Sequence, residues 1–259
     1  MKLKRLLTVS LLTSTVLSSS NLLAQGEADF SADQKKQIQT IMHDYLIAHP
    51  EVLIEASQVL QQKQQEMAQK QSQKAISEHA DTLFTDTLTT VGNPKGDVTL
   101  VEFFDYQCIH CKKMAETLAD MVKSHGNLRV IYKEFPIFGK SSEEASRAAL
   151  AAAMQHKYLA MHDALLNQKG KLTSAIIQKV AQSIGLNMKK FKQDMHSQKV
   201  DDALKANRQL GENLHLMGTP ACIIAATPDG KLKANSTPVF IPGAANRDTL
   251  NDLIAKAKS

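Results

Sequence analysis

The sequence predicts an α/β fold in which a β-α-β unit, a helical insertion and a closing β-β-α unit follow an N-terminal helical arm. Three observations predict it. The apolar run Val98–Phe104 leads through a short turn into a helix-patterned stretch from Cys108 to about His125, and a second strand is read over Leu128–Phe135. Short β-rich runs on either side of a helical period read as strand, helix, strand. A long helical region follows, about Ser142 to Leu216, Ala-rich over Ala145–Ala153 and punctuated by Gly170, Gly185 and Gly211. After it come a strand at Cys222–Ala226, the Asp229-Gly230 turn, a strand near Val239–Ile241 and a helix from about Asn246.

The arm is read from caps and stripes. Ser31-x-x-Gln34 after Phe30 is a capping box, and Ile38, Ile41, Met42, Tyr45 and Leu46 then share one helical face. Pro50 ends that helix and opens the next, Glu51 to about Gln73, striped by Val52, Leu53, Ala56, Val59 and Leu60. A third short helix is expected over Lys74–Phe84. Thin helices with an apolar stripe cannot bury it alone. Either the stripes fold back onto the following domain or they pair with the same arm of another subunit; the second reading is preferred, because an exposed apolar stripe marks an interface. The turn-rich Val91–Asp97 segment marks the boundary, giving an arm over 25–90 and a domain over 91–259 with its insertion at about 141–216.

Residues 1–24 read as a secretory signal. Met1-Lys-Leu-Lys-Arg5 is basic, Leu6–Leu17 is largely apolar, and Leu22-Leu-Ala24 precedes polar residues. The apolar stretch is shorter than the ~20 residues a bilayer span needs. Export predicts a periplasmic location where disulfides persist, with association at the outer membrane or surface left open. Loss of Lys2, Lys4 and Arg5 lowers the formal charge from +5, so the basic balance is partly a property of the leader. With no Trp and 5% aromatic residues there is no nucleic-acid platform.

Cys108-Ile109-His110-Cys111 lies at the strand-to-helix junction. Free N–H groups and the macrodipole at a helix N-terminus favour an anionic sulfur, by up to ~2 kcal/mol from the dipole. The thiolate is what attacks disulfides. Cys108, at the helix start and able to project to solvent, is the expected nucleophile, and Cys111, one turn inside, the more buried resolving thiol. His110 between them can stabilise the Cys108 thiolate or simply be solvated. A structural zinc site needs two further ligands, and the histidines offer no close-spaced pair, so no metal and no cofactor is expected.

Glu102 is the odd residue in an apolar strand. Buried without a partner its charge is costly, so either its proton affinity is raised or it is paired, with Lys133 of the next strand as the candidate; the alternative is a Glu on a solvent face. Six residues before Cys108, it is positioned to accept a proton from Cys111. Gly218-Thr219-Pro220 precedes a strand, and its X–Pro bond is trans in the commoner case but cis at only ~0.5–1 kcal/mol. Cys222 reads as a small buried hydrophobe, with a third redox thiol as the alternative.

Val101–Cys111, the preceding Gly92–Asp97, Gly218-Thr-Pro220 and Ile241-Pro-Gly243 together resemble the DsbA-like branch of the thioredoxin superfamily, over about residues 90–259. The arm, with Tyr45–Leu53, resembles the oligomerisation segment of envelope-antigen and ScsC-type members. The resemblance implies a thioredoxin fold with a helical insertion, a thiol:disulfide oxidoreductase or isomerase acting on exported proteins with cysteines, and a membrane redox partner of DsbB or DsbD type. It implies a homo-oligomer, with a dimer favoured. It also implies that Cys108 attacks, Cys111 resolves, His110 tunes the thiolate, Glu102 is the buried acid, and Thr219, Pro220 and Ile109 meet substrate with Pro220 in cis geometry. Ile109 stands where that branch usually has proline, which bears on oxidising strength. The remaining rivals are a plain dithiol oxidase and a non-catalytic surface antigen or metal-binding module.

Overall fold

The computed structural model describes residues 30–86 and 88–258; the expected signal segment lies outside them. The described residues divide into two compact units, one ending at Val59 and one beginning at Leu60.

In the first unit, helix α1 (Ala32–Ala48) opens on the expected capping box: Gln34 N–H donates to Ser31 Oγ and Ser31 N–H to Gln34 Oε1. No residue of α1 is buried, and Ile41, Met42, Tyr45 and Ile47 are exposed. Helix α2 starts at Glu51 and runs unbroken to Glu78, past the expected end at Gln73. Lys74–Glu78 therefore continues α2, and the separate third helix is only α3 (Ala80–Phe84). The Gln- and Lys-rich sequence around residues 61–74 offers no breaker, and its residues are good helix formers.

The second unit is built on a five-stranded sheet of order β1-β3-β2-β4-β5. The strands are β1 (Thr90–Gly92), β2 (Val98–Phe104), β3 (Leu128–Glu134), β4 (Ala221–Ala226) and β5 (Val239–Pro242). Strands β2 and β3 run parallel, joined by the crossover helix α4 (Ile109–Ser124), and the other pairs are antiparallel. Strand β1, overlapping the start of the stretch read as a turn, is a short edge strand whose partner β3 lies beyond β2 and α4 in the chain. Every residue of β2 is buried, so this strand has no solvent face. Leu100 and Phe104 pack with α4 and the insertion, whereas Val101 and Phe103 pack with Ile76, Leu83 and Phe84 from the end of α2 and from α3. The last turns of the segment read as arm are thus core of the second unit.

The insertion contains α5 (Lys140–Ala153), α6 (Tyr158–Leu166), α7 (Ser174–Ser183), α8 (Met188–Asp194) and α9 (Gln198–Asn213), and the chain closes with α10 (Arg247–Lys258). Side-chain caps from Thr173, Asn187 and Ser197 start α7, α8 and α9. Buried Ala145, Ala148, Ala149 and Ala152 let the helices packed on α5 approach closely. Gly170 and Gly185 punctuate the insertion with positive φ, but Gly211 sits inside α9. A Cβ there would lie 2.5 Å from the Phe135 ring, so the glycine serves helix–sheet contact. Gly211→Ala is expected to cost ~1–3 kcal/mol by overpacking; a thermal melt should fall, and a raised midpoint would contradict the contact.

Candidate active site

Cys108 is the N-cap residue of α4, held there by its N–H to Asp105 O at 3.1 Å, while its own carbonyl accepts from Lys112 N–H. Its sulfur does not project freely into solvent. The residue is 4% exposed, because the Gly218–Pro220 loop lies over it and Sγ donates to Thr219 O at 3.2 Å. That loop carries a cis Thr219–Pro220 peptide, and Gly243 N–H bonds back to Pro220 O at 2.9 Å. Thr219 and Pro220 line an open cavity of about 600 Å³ together with Met217, Phe240 and Pro242. Thr219 Oγ1 is buried without a partner among the described residues.

Cys111, one turn on, is 1% exposed. Burial and then the Glu102 charge push its thiol up strongly, while the Asp105 backbone N–H favours its anion. All three cysteines are free thiols. Ile109 is 62% exposed beside the covered sulfur. His110 is also exposed, and among the described residues no hydrogen bond ties its ring to Cys108.

Glu102 is 2% exposed and faces the α4 side of the sheet. Burial raises its proton affinity well above the carboxylate range, and Cys108 and Glu134 push the same way. The expected partner is wrong. Lys133 aligns with Phe103 in the β2/β3 register, on the opposite face, and pairs there with Asp86 at 3.1 Å. Strand alternation decides this, since Glu102 aligns with Tyr132 instead. On the other side Glu102 stands opposite Cys222, which is fully buried and whose thiol is pushed up by burial, then by Glu102 and Cys111.

Two acids escaped the sequence reading. Asp105 is a fixed buried hub: Oδ1 accepts from Gln107 N–H and Ser142 Oγ, both at 2.7 Å, and Oδ2 from the N–H groups of Ile137 and Phe138 at 2.8 and 3.0 Å. It ties the turn carrying Cys108 to the loop carrying exposed Ile137 and Phe138. Glu134, at the end of β3, accepts from Tyr106 and Tyr158 hydroxyls at 2.9 and 2.8 Å. Burial pushes it up to about 8, with Ser146 nearby and the two tyrosine hydroxyls pulling partway back. No oddity marks it in the sequence, since Glu134 follows Lys133 at the end of a strand that also carries Arg129. The tyrosines that hold it come from elements far apart in sequence, which no local pattern reveals.

A cysteine sulfur capping a helix beside a cis-proline loop, with a second thiol one turn below and a buried acid in the adjoining strand, is the arrangement of a thioredoxin-fold thiol–disulfide oxidoreductase. The DSBA-like thioredoxin domain model matches residues 99–255, and the protein belongs to that family. Residues 34–66 match the N-terminal domain of the copper resistance protein ScsC. Among solved structures, BcfH of Salmonella enterica Typhimurium is 29% identical with a TM-score of 0.72, covering 88% of this chain and 97% of that one. A thioredoxin-like oxidoreductase from Silicibacter pomeroyi is 34% identical (TM-score 0.62; 69% and 96% covered). A periplasmic thioredoxin-like protein from Salmonella enterica serovar Typhimurium is 28% identical (TM-score 0.58; 68% and 94% covered). The chain spans 22% of the length of a curated relative, the Na(+)/H(+) antiporter NhaA 1 of Mycobacterium sp. (strain KMS), matching it over 139 residues at 30% identity and 51% of its own length. Among the described residues no helix is long and apolar enough to cross a membrane.

Proposed function

We propose that the protein is a periplasmic thiol:disulfide oxidoreductase that forms and isomerises disulfides in exported proteins. Cys108 attacks, Cys111 resolves, and Glu102 handles the proton of Cys111. The observation that carries this reading is the contact of Cys108 Sγ with Thr219 O at the N-cap of α4. A cysteine of an incoming polypeptide laid beside Thr219–Pro220 exchanges that contact for a sulfur–sulfur bond. Ile109, exposed next to Cys108, meets the same polypeptide, and His110 on the first turn of α4 adds positive charge near the sulfur when protonated. The leader at 1–24 supports export, and recycling is assigned to a membrane partner of DsbB or DsbD type.

The exposed stripe of α1 and the first turns of α2 supports assembly into a homo-oligomer, a dimer in the simplest closed form. Two sites around one cleft favour reshuffling over simple oxidation. The test is a chain beginning at Leu60, which keeps the core residues Ile76, Leu83 and Phe84; truncation as far as residue 85 would strip them. In sedimentation this chain should be monomeric, and it should still oxidise a dithiol peptide while losing refolding of scrambled ribonuclease. Undiminished isomerisation would favour a plain dithiol oxidase.

A further inference from the structure

Asp105 joins the sulfur at the start of α4 to a second exposed element. It follows the last residue of β2 and is fully buried. The turn that it opens is held by side chain and backbone together. Oδ1 accepts from Gln107 N–H at 2.7 Å, and the Asp105 carbonyl accepts from Cys108 N–H at 3.1 Å. The first bond makes an Asx turn, and the second closes a β-turn over the same residues. That turn ends on the N-cap of α4, whose sulfur lies 3.2 Å from Thr219 O.

The other donors come from the loop between β3 and α5 and from the first turn of α5. Oδ2 accepts from the consecutive N–H groups of Ile137 and Phe138 at 2.8 and 3.0 Å, and Oδ1 from Ser142 Oγ at 2.7 Å. With its N–H groups turned onto the carboxylate, the loop leaves Ile137 44% and Phe138 55% exposed. Large apolar residues held exposed beside a reacting sulfur mark a contact surface. A buried carboxylate with both oxygens doubly bonded to donors has no freedom of its own, so the elements that supply those donors keep one geometry.

We propose that Asp105 is a positioning residue for disulfide exchange: it fixes Cys108 in register with the Ile137–Phe138 loop, so that a polypeptide disulfide meets sulfur and apolar loop together. This rests on reading Cys108 as the attacking sulfur. In the step concerned the Cys108 thiolate, its proton given up to water, attacks one sulfur of a substrate disulfide. The Cys108–substrate bond forms and the substrate's own sulfur–sulfur bond breaks. The departing sulfur leaves as a thiolate and takes a proton from water. One disulfide replaces another, with no net oxidation. The reacting sulfurs must be aligned, and a misplacement of ~1 Å costs on the order of 100-fold in rate. A small disulfide can settle onto the sulfur from whatever direction is open. A polypeptide that also rests on the loop has no such freedom, so its rate depends on how loop and sulfur are set relative to each other. Asparagine keeps the size of Asp105 and loses an acceptor. Whichever way its amide turns, Nδ2 faces either the Ile137 and Phe138 N–H groups or the Gln107 N–H, so one side comes loose.

The experiment measures how fast the reduced full-length protein, carrying Cys111→Ala to isolate the first step, forms a mixed disulfide with each of two probes. One is oxidised glutathione; the other is a synthetic peptide with an internal disulfide flanked by apolar residues. Adding Asp105→Asn should slow the peptide reaction by ~10–100-fold and the glutathione reaction far less, so that the ratio of the rate constants falls. A purely structural role would scale both rates with the folded fraction. An unchanged ratio, in protein folded by circular dichroism, would overturn the proposal. Should Asp105→Asn not fold, Ser142→Ala replaces it, since it removes one donor and leaves the N–H bonds from Gln107, Ile137 and Phe138 in place. The ratio should then fall by less in the same direction, and an unchanged one would again overturn the proposal. A Cys111→Ala protein that forms a mixed disulfide with neither probe would instead defeat the redox reading beneath it.

Discussion

Cys111→Ala protein is expected to accumulate mixed disulfides with exported proteins through Cys108, as the dominant form of the protein in non-reducing gels. On the proposed roles, the substitution leaves the attacking sulfur at the N-cap of α4 and removes the thiol that ends its reaction. Cys111 is a small buried residue, so alanine costs little packing and the fold persists. Cys108→Ala, alone or combined, should abolish the trapped species and reduce exchange to background. Mass mapping of the bridged peptides checks the assignment. Absence of trapped species, or bridges through Cys222, would break the proposed order of events.

Wild-type stability should fall as pH rises from about 6.5 to about 8. The sign follows from which state holds more protons. Glu134 binds its proton up to about 8 in the folded protein, against 4.5 for an ordinary glutamate. Between those values the unfolded chain is ionised and the folded one is not, so raising pH favours unfolding. Glu102, also raised, acts in the same direction. His162 opposes them only at lower pH: its folded value is about 3 against 6.5, so its contribution rises across that interval and is complete above it. Above pH 6.5 His162 no longer opposes the carboxyls, and a group that keeps its proton only in the folded state contributes up to ~1.4 kcal/mol per pH unit. Glu134→Gln should make the slope in urea titrations read across that window less steep. A wild-type slope near zero, or an unchanged one in the variant, would contradict burial of two protonated acids.

The reach of sequence reasoning differs by element. Strand β2, helix α4 and strand β3 were legible because an apolar run, a helical stripe of Cys111, Met114, Leu118 and Met121, and the β-forming Val130-Ile131-Tyr132 are local signals. The capping box of α1 was equally local. Strand β1 was not legible, since three residues on a sheet edge acquire their identity from pairing with β3. Gly211 was misread as a break because its cause is a ring from another element. At the site, the two cysteines, Glu102 and the Thr219–Pro220 loop could be named from motif and oddity. The partner of Glu102 could not, because a shift of one position in register moves Lys133 to the other face. The cover over Cys108 was likewise hidden, since it depends on a loop that folding brings from the far side of the insertion. The hub at Asp105 reads in sequence as an ordinary turn residue, and only its four donors reveal it.

The most direct test of the account is the order in which the three thiols of the reduced protein react with limiting iodoacetamide, mapped by mass spectrometry. Cys108 should be labelled first and faster than a free cysteine peptide, with Cys111 and Cys222 protected until the protein unfolds. Labelling of Cys111 or Cys222 ahead of Cys108, or a Cys108 no more reactive than the peptide, would contradict it.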